Sequence, residues 1–355
     1  MTKVIQTLFN SPIDIIGDIH GEKEALTSLL TNLGYDSEGN HPDNRKIVFV
    51  GDLCDRGPDS PGVILFVKKL IENGNAQAIL GNHEINLLQG KPKESSGWYF
   101  AERFHSDIKY QPFKVANDSE KIEIFEFLSS LPVVLENDNL RIVHAAWIHE
   151  KIEELRDIDS QSFVDFINNK DNEVNNNIKT TGLLDRYHQE QNQWLKDIEN
   201  PDSECPYLEN TANYNLAHQE GNPIKKITCG TEAKTNEPFF TSGKWRFISR
   251  QAWWDNYHDD VPVVIGHYWR KNKPVNDNES LFNDIAYNSW HGVNNNVFCI
   301  DYSVGARFLE RNKNTVEFNN KLAALRFPEN TLMFEDGHIV PTIGFENKNR
   351  KKSKP

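Results

Sequence analysis

The 355-residue sequence is short of several things, and each shortage closes off a class of protein. Its four cysteines, Cys54, Cys205, Cys229 and Cys299, are scattered and form no CxxC pair. That spacing supports neither a zinc knuckle nor a disulfide framework, so free thiols are expected. No apolar run approaches the ~20 residues that span a bilayer, and no membrane association is expected. The opening MTKVIQTLFNSP lacks a basic start, a long apolar middle and a small-residue cleavage site. A secretory signal is therefore not indicated, and a cytoplasmic location is the expectation. Positive charge is also in deficit, with 39 Lys and Arg against 52 Asp and Glu and a net charge of −13. General nucleic-acid binding rests on neutralising phosphates with Lys and Arg, so it is not expected. A small anionic substrate stays open, because bound metal ions reverse the local field. No internal repeat is visible, and the oligomeric state is left open.

What is present is an alternation of strand and helix signals. IDII (13–16) reads as a short strand. EKEALTSLLTNLG (22–34) sets Ala25, Leu26, Leu29, Leu30 and Leu33 on one helical face and closes on Gly34. KIVFV (46–50) is a second strand, and AQAIL (76–80) a third. Between them Val63, Ile64, Val67, Leu70 and Ile71 mark a helix ended by NGN at 73–75. This βαβαβ order predicts parallel strands with right-handed crossovers and functional loops at the strands' carboxyl ends. From about 151 to 255 the character shifts to polar, Asn-rich stretches such as NNKDNEVNNNIKT (168–180). Strand signals return at VPVVIGH (261–267), NVFCID (296–301) and KLAALRF (321–327). TLMFEDGHIVPTI (331–343) reads as a hairpin around EDGH.

The residues that follow each strand form a pattern. After the first comes GDIHG (17–21), after the second GDLCDRG (51–57), after the third GNHE (81–84). LRIV (140–143) empties into HAAW (144–147), and VPVVI into GHYW (266–269). Any one of these is ordinary loop chemistry: solvated charge beside a turn glycine. Three in βαβαβ register are not, because parallel strands bring their ends side by side. The ends carry Asp18, His20, Asp52, Asn82, His144 and His267. These are oxygen and imidazole donors with no thiolate, a set that suits Mn2+, Fe or Zn2+.

GDxHG, GDxxDRG and GNHE, followed by two separated histidines, resemble the calcineurin-like metallophosphoesterases. The DRG and GNHE forms resemble the phosphoprotein-phosphatase branch. CIDYSVGARF (299–308) departs from the eukaryotic pattern and is similar to bacterial members and to dinucleoside tetraphosphate hydrolases. The resemblance implies an α/β fold: a metallophosphoesterase β-sandwich core flanked by helices, with a mostly helical or irregular insertion. The layout expected is a single domain over 1–355. Its core covers about 11–150 and 256–345, an insertion or cap about 151–255, and a basic disordered tail 346–355.

The resemblance further implies two divalent metal ions, Mn2+ first, with Fe or Zn2+ as alternatives. Asp18 and His20 would hold one ion, Asn82, His144 and His267 the other, and Asp52 would bridge both. Arg56 would bind phosphate oxygens with its fork of donors. Asp55 would orient His83, and His83 would protonate the leaving oxygen; its plainer reading is a core or helix-cap histidine. Arg250, and less so Arg246, is a candidate second phosphate-binding arginine. Tyr302 is a candidate for the site's border. AWWDNYH (252–258) reads as core, with base stacking as the alternative. His149, His188, His218 and His258 read as structural or solvent-facing. The expected function is phosphomonoester hydrolysis, foremost of phosphoprotein Ser, Thr or Tyr, by in-line attack of hydroxide generated at the metals. The partner is then a phosphorylated protein or a small phosphorylated substrate. The alternative is a dinucleoside polyphosphate hydrolase, and a minor one a catalytically dead binding module.

Overall fold

The computed structural model describes residues 3–241, 243–273, 281–311, 313 and 317–345. The tail expected over 346–355 lies outside them. The chain opens with β1 (Ile5–Thr7), β2 (Ile13–Ile16), α1 (Lys23–Leu33), β3 (Lys46–Phe49), α2 (Ser60–Glu72), β4 (Ala76–Ala78) and α3 (Asn82–Leu88). Next come α4 (Asp118–Ser129), β5 (Val134–Asn137) and β6 (Leu140–Val143). Five helices follow: α5 (His149–Glu153), α6 (Phe163–Thr180), α7 (Leu183–Trp194), α8 (Glu209–Glu220) and α9 (Pro223–Cys229). A hairpin, β7 (Glu232–Thr241) and β8 (Lys244–Arg250), leads back to β9 (Val263–Ile265) and β10 (Val297–Cys299). After α10 (Arg307–Arg311) the chain closes with β11 (Ala323–Phe327), β12 (Thr331–Phe334) and β13 (Ile339–Pro341).

Two sheets carry the core. One has six strands in the order β13-β12-β11-β2-β3-β4, and the other five in the order β1-β5-β6-β9-β10. β2, β3 and β4 pair in parallel, as do β6, β9 and β10. β2 (IDII) and β3 (KIVF) are apolar apart from Asp14 and Lys46, because both faces are buried. Side chains alternate along a strand. Ile15 and Val48 point into the cluster shared with Ile142, Val264 and Phe298 of the other sheet. Ile16, Ile47 and Phe49 point the opposite way, onto Leu26 and Leu29 of α1 and Val63 and Val67 of α2. The core is thus a sandwich with helices outside it. α2 starts where Asp59 accepts a hydrogen bond from the Gly62 N–H at 3.0 Å, with Pro61 in the first turn where a missing N–H is harmless. No helix among the described residues is long and apolar enough to cross a membrane.

Two features differ from the sequence reading. NNKDNEVNNNIKT is not irregular: it lies in α6, whose buried Phe163, Ile167, Val174 and Ile178 share one face. The segment expected to be helical or irregular also ends in the β7–β8 hairpin. β7 escapes a strand pattern because it holds Pro238 and a register shift between Lys234 and Phe239. A separate small core of Ile198, Cys205, Leu208, Ala212 and Phe247 fastens β8 to α8 and its neighbours.

Candidate active site

The carboxyl ends of β2, β3 and β4 meet those of β6, β9 and β10, and the donors named above gather there. The loops interlock through the backbone: the His20 and Ile19 N–H groups donate to the Asp52 carbonyl at 2.9 and 3.0 Å. Close approach sets the residue types. Gly51 has φ 96°, and a Cβ there would stand 2.5 Å from the Gly81 nitrogen. At Gly266 a Cβ would stand 2.0 Å from the Asp18 Oδ1. Several functional side chains hang from left-handed backbone: His20 (φ 47°), Asp52 (48°), Asp55 (72°), Arg56 (66°), His267 (69°) and Trp269 (54°). Backbone of this kind concentrates at functional sites, held there by the surrounding fold.

Asp52 is the hub. Its Oδ2 lies 3.3 Å from His144 Nε2, 3.7 Å from His20 Nε2 and 3.9 Å from His83 Nε2. Asp18 sits beside it, 3.9 Å from His20 Nε2, and accepts from the His267 N–H at 3.1 Å. The imidazoles are oriented from behind. His20 Nδ1–H donates to the Cys54 carbonyl at 2.9 Å, and His144 Nδ1–H to the Val50 carbonyl at 2.7 Å. Each then directs its Nε2 toward the carboxylates. Asn82 Oδ1 is 2.9 Å from His267 Nδ1.

Charge is polarised across this cluster. Burial, then Asp301, pushes the Asp18 carboxyl well above the usual range, with His144 opposing. Burial also works to raise Asp52, but His144 and His83 outweigh it and hold that carboxyl well below the usual range. Burial works to lower His144; Asp52 overrides it and lifts the imidazole to about 10. His20 and His267 go down, through burial and then Arg56 and Arg250 respectively. Burial opposes protonation of His83, yet Asp52 and Asp55 together raise its affinity for a proton.

The remaining contacts organise His83 and Arg56. His83 Nδ1–H donates to Asp55 Oδ2 at 2.5 Å, while Asp55 Oδ1 accepts from the Trp98 Nε1–H at 2.5 Å. Arg56 lays its guanidinium over the Trp269 ring, 4.4 Å from the centroid. Its two Nη groups reach His20 Nε2 at 3.2 Å and His83 Nε2 at 3.3 Å. Glu84 is fully buried and accepts from the N–H groups of Asp52, Leu53 and Gly81 at 2.9, 2.8 and 2.9 Å. It locks the second loop to the third. Asp301 accepts from the Trp269 and Ser303 N–H groups, each at 2.8 Å, and so pins the turn that carries Trp269.

Sequence reasoning missed four of these partners. Trp98 and Trp269 carried no local signal. Glu84 was quoted within GNHE but given no task. Asp301 follows a strand as Asp18 and Asp52 do, so the same rule could have found it. Arg250 lies on the rim, exposed, 5.7 Å over the Tyr268 ring. Tyr302 does not border the site: it is buried between the sheets, its hydroxyl donating to the Tyr287 carbonyl at 2.6 Å. Trp253 and Trp254 are buried in the core, and Trp253 Nε1–H donates to the Ala145 carbonyl at 2.9 Å.

The donor set fits cations. Ligand atoms of Asp52, His144 and His267 lie within 4.8 Å of one another, as do those of His20, Asp52 and His83. His267 Nε2 is buried with no hydrogen-bond partner, which an imidazole nitrogen seldom tolerates without a ligand, and His144 Nε2 meets only the Asp52 carboxylate, 3.3 Å away. Cys54 Sγ is turned away to Glu84 Oε1 at 3.2 Å, so the donors are nitrogen and oxygen only. Buried carboxylates and imidazoles around a phosphate-type arginine are the makings of a metal-dependent phosphoester hydrolase. The chain belongs to the calcineurin-like phosphoesterase family, whose sequence profile matches residues 11–208, more than half of its length. That family works with two metal ions.

Similar curated proteins carry one activity in their names. The asymmetrical bis(5'-nucleosyl)-tetraphosphatase PrpE of Oceanobacillus iheyensis is 40% identical over 160 residues, covering 43% of this chain and 62% of that protein. The symmetrical bis(5'-nucleosyl)-tetraphosphatase of Ralstonia nicotianae is 45% identical over 82 residues, covering 23% and 26%. The matched segment thus spans less than two thirds of either relative. Among solved structures, the cold-active protein-tyrosine phosphatase of a Shewanella species covers 94% of this chain and 81% of its own, at 16% identity and a TM-score of 0.45. A likeness that loose carries no argument about substrate.

Proposed function

We propose that this chain hydrolyses dinucleoside polyphosphates of the tetraphosphate kind. The observation that carries the reading is the 40% identity to a bis(5'-nucleosyl)-tetraphosphatase over 160 residues, 43% of this chain. This reverses the order of the two substrate classes expected from sequence, where phosphoproteins came first.

In this reading Asp18, His20 and Asp52 would hold one metal ion, and Asp52, Asn82, His144 and His267 would hold the other, with Mn2+ the first choice for such donors. When bound, the pair supplies acidified water and positive charge at the reacting phosphate. The chain's own groups do the rest. Arg56, stacked on Trp269, offers two Nη donors to non-bridging phosphate oxygens. A phosphate that takes those donors frees His83 Nε2 to carry a proton to the leaving oxygen. Asp55 steadies the cationic imidazole through Nδ1 while Trp98 steadies Asp55. The chain is treated as a single domain in which 151–255 is an insertion beside the site.

The test is a side-by-side assay of the manganese-loaded protein on diadenosine tetraphosphate and phosphopeptides. The reading expects kcat/KM for the dinucleotide to be at least about tenfold higher. Products of ATP and AMP, or of two ADP, would tell asymmetrical from symmetrical cleavage. A phosphopeptide preference would restore the other substrate class.

A further inference from the structure

CIDYSVGARF (299–308) lies outside the residues that match the family, yet the fold brings it against Arg56. Asp301 ties it to the turn that carries Trp269: its carboxylate accepts from the Trp269 and Ser303 N–H groups, and its carbonyl from the Arg270 N–H at 2.9 Å. The chain then winds through a single helical turn (Val304–Ala306) into α10. Gly305 touches the site, because a Cβ there would stand 2.4 Å from His20 Cδ2 and 3.1 Å from Arg56 Nη1. Side chains three residues apart in such a stretch share a face, so Phe308 follows Gly305 on the same side, about 5–6 Å further along. Phe308 is half-buried, and Tyr110, itself buried, packs against it with ring centroids 4.4 Å apart. Among the described residues neither ring belongs to the apolar clusters of the fold.

A ring pair outside the core, one helical turn from a phosphate-type arginine, suits a flat group joined to a phosphate. The arginine shows which part of the substrate that group belongs to. Arg56 Nη1 reaches His20 Nε2 and Nη2 reaches His83 Nε2. Gly305 meets the Nη1 end, so its helical turn approaches from the side remote from His83. A group on that side is not the one whose oxygen His83 protonates. It stays attached to the phosphate under attack. The gap from Gly305 to Phe308 is about the reach of one ribose; a ribose and a further phosphate would overshoot it.

We propose that Phe308, backed by Tyr110, stacks the base of the nucleoside carried by the attacked phosphate, and that the chain therefore cleaves a dinucleoside tetraphosphate asymmetrically. The proposal rests on the substrate reading above and adds the residues that hold the base and the bond that breaks. An oxygen from water joins the phosphorus that carries the nucleoside, and that water gives up a proton. The bond from the same phosphorus to the oxygen bridging the next phosphate breaks. That oxygen leaves with the electron pair and takes a proton from His83. With diadenosine tetraphosphate the products are AMP and ATP. The ring of a phosphotyrosine is the competing occupant. It hangs from the leaving oxygen and so points toward His83, which disfavours it at Phe308.

The test uses the manganese-loaded protein and its Phe308→Ala, Phe308→Leu and Phe308→Trp variants. Wild type first hydrolyses diadenosine tetraphosphate in water labelled with heavy oxygen. The label should enter AMP and not ATP; label in ATP, or ADP as the main product, overturns the proposal. KM for the dinucleotide should rise about five- to hundredfold in the alanine and leucine variants, the range for one lost base stack, and recover in the tryptophan variant. Leucine refills the space without a flat face, so a merely structural phenylalanine would be rescued by leucine and not by tryptophan. Calorimetry with AMP and ribose 5-phosphate reads the base alone: wild type should prefer AMP by a similar factor, and Phe308→Ala should abolish the preference. If wild type cleaves the dinucleotide and Phe308→Ala keeps both KM and the AMP preference, the platform is wrong and the substrate reading stands. If wild type ignores the dinucleotide, the substrate reading fails, and the AMP preference alone then decides the platform: its loss in Phe308→Ala supports it and its persistence overturns it. A loss confined to phosphotyrosine peptides also overturns it. Should Phe308→Ala melt early, Phe308→Leu gives the same readings with the packing retained.

Discussion

Two regions of this molecule bury polar groups for different reasons. In the loops after β2, β3 and β4, charged groups are crowded together out of solvent: Asp18, His20, Asp52, Asp55 and Glu84 are all nearly inaccessible. Between residues 151 and 250 the one buried charged residue among those described is Asp171. It is answered directly by Lys91 at 2.5 Å, Asn222 at 2.8 Å, Gln89 at 3.1 Å and Lys225 at 3.3 Å. Asp171 is a finished interaction that ties α6 to the loop after α3 and to α9. The strand-end cluster is unfinished within the chain: its carboxyls are pushed in opposite directions, and the buried His267 Nε2 has no partner. Completeness separates burial that holds a fold together from burial that awaits a ligand.

Asp52→Asn should break the comparison most severely. Asn tolerates left-handed backbone, so the change isolates charge from strain. It removes the one carboxylate facing His20, His83 and His144 at once. Activity should fall further than the 10²–10⁴ typical of losing an acid–base group, and metal content measured by elemental analysis should fall with it. Retained metal with full turnover would refute the hub role.

His83→Asn should fall next, by about 10²–10⁴ in kcat with metal content kept. The deficit should shrink on p-nitrophenyl esters, whose leaving group needs little help from a proton. Equal deficits on good and poor leaving groups would make His83 a ligand or scaffold residue. Trp98→Phe sharpens the same point from further out. It removes a hydrogen bond to a carboxylate, worth about 1.5–3 kcal/mol, so kcat should drop roughly tenfold or more. A wild-type kcat in a stably folded variant would show that Asp55 needs no support beyond His83.

The smallest effect belongs to Asp171→Asn, which should touch stability and not chemistry. Burial works against the Asp171 carboxylate, yet Lys91, Asn222 and Lys225 hold it well below the usual range. A depressed carboxylate contributes stability that is present above its unfolded value near 3.9 and lost as pH falls through the folded value. Wild type should therefore lose stability in urea melts below about pH 4, while the Asn variant, weaker by about 1 kcal/mol at neutral pH, should show a flatter decline. Parallel pH curves would mean that the bridge contributes nothing.

The same contrast explains what could be read from the sequence. At the strand ends each position is constrained twice, by a turn that few residues tolerate and by the donor atom it presents. Asp18, Asp52, His144 and their neighbours are therefore visible as letters. Trp98 is not, because it meets Asp55 from 43 positions away and nothing local marks it. Arg56 was legible as a phosphate donor, but the Trp269 ring beneath it was not, since an aromatic residue after GHY reads equally well as core. In α6 the asparagines masked an apolar face that was present all along. In β7 a proline and an irregular register erased the alternation that marks a strand. Segments whose residues need only be adequate leave weaker marks than segments whose residues have no substitute.

The left-handed backbone beneath His20, Asp52, Asp55, Arg56, His267 and Trp269 has one further consequence. Each such residue, carrying a Cβ, sits about 1–2 kcal/mol above a relaxed conformation. Glycine would relieve that strain and remove the functional group in the same step. Durability and activity therefore pull in opposite directions at these six positions. A population of this protein selected only for survival at high temperature would be drawn toward sequences that fold better and hydrolyse nothing, so heat resistance is a poor proxy for a working copy of this enzyme.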